Sequence, residues 1–100
     1  MSNIAQHRKA LITRIVDGDG RAEQNLRKAA FEGRGPEAAS GLVDKVTKHA
    51  YRVTDEDIAA ATSAGLSEDQ IFELVVCAAI GQANRQLETA LAALEEATKG

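Results

Sequence analysis

The sequence predicts an all-α fold of about five helices, and three observations carry that prediction. Larger apolar residues recur at three- and four-residue spacing, strand-like alternation persists nowhere, and glycines and the single proline punctuate the periodic segments. A chain of 100 residues with 44% hydrophobic and 27% charged side chains fits one domain spanning residues 1–100, with no repeat or low-complexity segment.

The first helix is expected over Ile4 to Val16, where Ile4, Leu11, Ile12, Ile15 and Val16 share a face and Ser2 or Asn3 can cap the first turn. Asp17-Gly18-Asp19-Gly20 breaks it, because the glycines permit positive φ and the aspartates can bond nearby backbone amides. The same segment superficially resembles the start of a calcium loop. Arg21 and Lys28 stand where such a loop needs acidic ligands, so calcium binding is rejected. A second helix is expected from Arg21 to Phe31 on Ala22, Leu26, Ala29 and Ala30, closed by Gly33-Arg34-Gly35-Pro36. The third, from Pro36 to about Arg52, carries Ala39, Leu42, Val43, Val46 and Ala50 on one stripe. Thr54 followed by Asp55-Glu56-Asp57 reads as an N-cap with an acidic first turn, which starts a fourth helix that ends at Gly65. Ser67-Glu68-Asp69-Gln70 is a capping box, so a fifth helix begins at Glu68.

That last helix meets no breaker before Gly100 apart from Gly81, so it can run about thirty residues, or about 45 Å. Ile71 to Ile80 is apolar almost all round and predicts burial on every side. Leu87, Ala90, Leu91 and Leu94 instead form a single stripe, with Ala83, Ala93 and Ala97 on or beside it. The stripe can be covered by a second copy of the chain or by the first helix folding back onto it. With 3% aromatic residues, no Trp and an alanine-rich apolar content, the core is thin and a lone monomer is marginal, which favours a homo-oligomer.

A net charge of −3 argues against nucleic-acid binding, since pairs such as Arg8-Lys9 and Arg27-Lys28 make no basic face able to displace counterions. One cysteine makes no internal disulfide, and Cys/His spacing suited to zinc is absent, so neither a metal nor another cofactor is expected. The N-terminal residues lack the apolar core of a signal peptide, and Leu74–Ile80 is too short to cross a bilayer, so no membrane association and a cytoplasmic location are expected. Cys77 stands in the most apolar stretch and reads as a small buried hydrophobe with a raised pKa.

Polar chemistry concentrates around the junction of the third and fourth helices. His49, Tyr51, Arg52 and Asp57, with Lys48 and Asp55 nearby, supply a group titrating near neutrality, a phenol, a guanidinium and carboxylates. That set suits acid/base work on a small anionic molecule, and these four residues are the candidate catalytic set. Dipole complementarity accounts for the same residues more simply: cations at a helix C-terminus, acids at the next N-terminus. Asn84-Arg85 is a second polar insertion, suited to a helix junction or an interface.

From Leu42 to Glu95, about half the chain, the order of features resembles the alkyl hydroperoxidase D and carboxymuconolactone decarboxylase family. The resemblance rests on a short acidic-capped helix, then Ala64-Gly65-Leu66-Ser67-Glu68-Asp69-Gln70-Ile71-Phe72, then a long alanine-rich helix carrying Ala83-Asn84-Arg85. It implies an AhpD-like helical bundle that assembles as dimers to hexamers. Active members of that family carry Cys-x-x-Cys followed by His ahead of the Gly-Leu-Ser turn, and an upstream Glu. The matching positions here are near Ala50, Val53 and Asp57, with Glu37 close to the upstream acid. Without the dithiol there is no thiolate to attack peroxide and no second thiol to resolve a sulfenic acid. The expected role is therefore binding or assembly. The alternatives are a cofactor-free decarboxylase or lactone-type isomerase, with His49 or Asp57 moving a proton and Arg52 holding a carboxylate, and residual peroxidase activity at Cys77.

Overall fold

The fold is set by where local sequence stops each helix. The computed structural model describes residues 2–49 and 52–99, and among them there are five α-helices and no strand: α1 (Ser2–Asp17), α2 (Gln24–Phe31), α3 (Ser40–His49), α4 (Asp55–Ser63) and α5 (Glu68–Thr98). A single 3-10 turn, Glu37–Ala39, precedes α3.

The predicted caps of α4 and α5 form, whereas Ser2 and Asn3, expected to cap the first helix, already lie within α1. The Thr54 hydroxyl accepts from the Asp57 amide while the Asp57 carboxylate accepts from the Thr54 amide at 2.9 Å. At the start of α5 the Ser67 hydroxyl accepts from the Gln70 amide at 3.1 Å, and the Gln70 side chain returns a bond to the Ser67 amide at 2.9 Å. Each box satisfies amides that a helix N-terminus otherwise leaves unpaired. Helices α2 and α4 end alike, with Gly33 and Gly65 at positive φ. The amides of Gly33 and Arg34 bond back to the Ala30 and Ala29 carbonyls, and those of Gly65 and Leu66 to Thr62 and Ala61. These are paired reverse bonds that only a left-handed residue allows.

Helix α5 is the spine. Its first half packs mainly against α2 and α3, and the core there joins Ile71, Leu74, Cys77 and Ala78 to Ala30, Leu42, Val43, Val46 and Ala61. Gly81 marks the closest approach of α2 and α5, because a β-carbon there would sit 1.8 Å from the Phe31 carbonyl oxygen. Helix α1 runs antiparallel along α5: the Ile15 carbonyl meets Cys77, and about two turns earlier in α1 the Arg8 guanidinium bonds the Asn84 side chain. The far half of α5 continues past these partners and gives the molecule its 53 × 28 × 17 Å shape.

Three further expectations need correction. The second helix starts at Gln24 instead of Arg21, because the Arg21 and Ala22 amides bond to a side chain of α5. The third is divided, a 3-10 turn coming first and α3 proper starting at Ser40. The segment Ile71–Ile80 is not covered on every side: Phe72 is 68% exposed, since it projects from the face of α5 opposite Ile71, Leu74 and Cys77.

Candidate functional site

Of the candidates at the junction of α3 and α4, Asp57 is the best defined. Both its carboxylate oxygens accept from the Lys45 ammonium, at 3.0 and 2.9 Å, and the Thr54 amide and hydroxyl add bonds at 2.9 and 3.1 Å. The Lys45 hydrogen bond, then the Thr54 amide, hold its carboxyl below the usual carboxylate range. An acid so held stays ionised near neutral pH and accepts hydrogen bonds; it is poorly placed to exchange protons there. His49 is the exposed last residue of α3 and Arg52 lies exposed in the connection to α4. Tyr51 lies outside the described residues, as does Ala50. Val53, the other dithiol position, is half-buried and packs against the core. The structure thus joins Asp57 to Lys45, a partner twelve residues back that the sequence reading left unpaired.

The second location surrounds Cys77. Its thiol is fully buried and donates weakly toward the Ile15 carbonyl at 3.8 Å. Burial pushes the thiol up from its ordinary value; Arg27 pulls it back, and Glu73 adds to the rise. Arg27 is 5% exposed, and its guanidinium donates to the Ala22 and Ile15 carbonyls, both at 3.1 Å. Glu73 accepts from the Arg21 amide at 2.7 and 2.9 Å and from the Ala22 amide at 2.8 Å, and Gln70 donates to the Arg21 carbonyl at 3.2 Å. Together they fasten the α1–α2 connection to the body. The sequence carried a signal for Glu73, the one charged residue in the run Ile71–Ile80, since a charge on a buried helix face needs a partner. A cleft lined by Arg14, Ile15, Asp19, Arg27, Phe72 and Val76 opens beside it.

The third location is the seam between α1 and α5. Arg85 donates to the Phe31 carbonyl at 2.5 Å and to the Gln82 side chain at 3.1 Å, so it closes the C-terminal end of α2. Asn84 accepts from Arg8 and donates to Glu88 at 3.2 Å. The polar pair therefore serves a helix junction. Next to it, Leu11, Ile12, Ile80, Ala83 and Leu87 line an apolar cleft with Arg8 and Asn84 at its rim. Beyond the cleft the stripe continues with no cover: Leu87 is 41%, Leu91 47% and Leu94 61% exposed.

Among the described residues no three His, Cys, Asp or Glu side chains converge so as to hold a metal ion, and no helix is long and apolar enough to cross a membrane. Comparison with family models, with curated proteins and with solved structures finds no match to this chain.

Proposed function

We propose that this chain is a self-associating helical protein with a binding or assembly role, on an AhpD-like scaffold that lacks the family's redox dithiol. The observation that carries the reading is the distal half of α5, which bears three exposed leucines in a row on one face. Single exposed leucines are ordinary on a soluble protein, but an aligned set continuous with an apolar cleft is a surface suited to association. The small core adds to this, since few of its fully buried side chains are large and burial against a second copy would supplement it. The lack of redox function is supported by the aliphatic Val53 packed on the core and by the burial of the only thiol, whose pKa is raised where peroxide chemistry needs an exposed thiolate.

The test is the mass of the purified chain in solution, by light scattering or sedimentation at micromolar concentration. The reading requires a multiple of 10.6 kDa, reduced to the protomer by Leu91→Glu with helix content kept. Cys77→Ala and His49→Ala leave the assembly unchanged. A stable 10.6 kDa species for the natural chain overturns the reading.

A further inference from the structure

We infer that two copies join through α5 in antiparallel orientation about a two-fold axis, each inserting its distal α5 into the α1–α5 cleft of the other. This deepens the self-association proposed above and rests on it. The argument starts from spacing. Ala83, Leu87, Ala90, Leu94 and Ala97 recur at alternating steps of four and three, which places them on one narrow seam of α5, with small and large residues alternating. Two such seams packed in parallel and in register set Leu on Leu and Ala on Ala, giving layers that are alternately too wide and too narrow. Packed antiparallel, each leucine meets an alanine: Leu87 lies against the partner's Ala90, and Leu94 against the partner's Ala83. Large-against-small layers fill space evenly and let the helices approach closely.

The cleft and the charges agree with this register. Ala83 and Leu87 line the apolar cleft together with Leu11, Ile12 and Ile80, so the partner's Leu94 enters a site already formed by α1 and α5. Leu11, 46% exposed, and the partner's Leu94 then cover one another. The rim of the cleft is basic at Arg8, with Lys9 beside it, whereas the distal α5 is acidic at Glu95 and Glu96. The antiparallel register brings the partner's Glu95 level with Arg8. From Ile80 to Thr98 the shared strip is about 28 Å long. With the α1 flank it covers about 500 Å² on each copy, about 1,000 Å² in all, the least that a specific interface needs and short of the usual stable range.

The test is cross-linking in a Cys77→Ala background whose helix content and mass match those of the natural chain. Ala83→Cys and Ala97→Cys variants are treated, separately and mixed, with a short bismaleimide matched to the about 8–10 Å spacing of packed helices. Covalent dimer is expected in the mixed sample and lost in either variant alone, because like positions are about 15–25 Å apart along the antiparallel axis. In the natural chain Arg8→Glu weakens assembly and Glu95→Lys added to it restores assembly, an independent reading of the same register. Self-linking of Ala97→Cys alone, or an assembled mass with neither cross-link nor charge rescue, overturns the antiparallel arrangement and leaves self-association standing. A monomeric mass overturns both.

Discussion

The two halves of α5 belong to one unbroken helix and have different fates. From Glu68 to Arg85 the helix is the spine of the core: Leu74, Cys77 and Ala78 are fully buried, Gly81 touches the backbone of α2, and Glu73 and Arg85 hold neighbouring chain segments. From Gln86 to Thr98 every residue is exposed, although leucines still recur there with the regularity of a packed helix. The difference teaches that periodicity states which face wants cover without stating what covers it. In the first half the cover is α2 and α3 of the same chain, and in the second the protomer supplies none.

Substitutions that probe this contrast should range from severe to silent. Gly81→Ala is the most damaging, since its β-carbon meets a backbone carbonyl that no side-chain rotation can move; a loss of about 3 kcal/mol or more is expected in urea unfolding. Leu74→Ala follows, costing about 2–5 kcal/mol by removing a fully buried side chain. Glu73→Ala leaves the Arg21 and Ala22 amides without their charged acceptor and costs about 1–3 kcal/mol, read from the same denaturation curves. Asp57 adds a pH dependence. Its folded pKa lies below the ordinary 3.8, so its contribution is fully present above that value and is lost as pH falls through the folded value. The thermal-stability advantage of the natural chain over Asp57→Asn should therefore hold at pH 7 and fade on acidification below the carboxylate range. Leu94→Ala, in the distal half, should leave protomer stability within about 0.5 kcal/mol when measured dilute, where α5 has no partner. A large loss from Leu94→Ala in a dilute monomer would erase the contrast between the halves.

What the sequence disclosed follows from how far its signals reach. The caps at Thr54 and Ser67 and the left-handed stops at Gly33 and Gly65 involve residues within one or two turns, and so they could be read directly, as could the start of α5 at Glu68. The start of α2 could not, because Arg21 and Ala22 are held by Glu73, 52 and 51 residues away. Phe72 belongs to a strongly apolar run whose composition hid the fact that one face of it is uncovered. Gly81 read as a tolerated interruption, and only the packing of α2 explains it. At the candidate junction the residue types were visible, whereas the Lys45 partner of Asp57 came from another helix. Cys77 was legible as buried, but the guanidinium of Arg27 beside it was not.

The clasp between Glu73 and the α1–α2 connection has a consequence for how the chain opens. Two loop amides that would otherwise exchange with solvent at once are held by a residue far along the chain, so their exchange requires the Glu73 carboxylate to come off them. Deuterium uptake at Arg21 and Ala22 is therefore a built-in reporter of that detachment, readable without any label on α5. Because a contact at this separation forms only after a long loop closes, the same two amides should gain protection late during refolding.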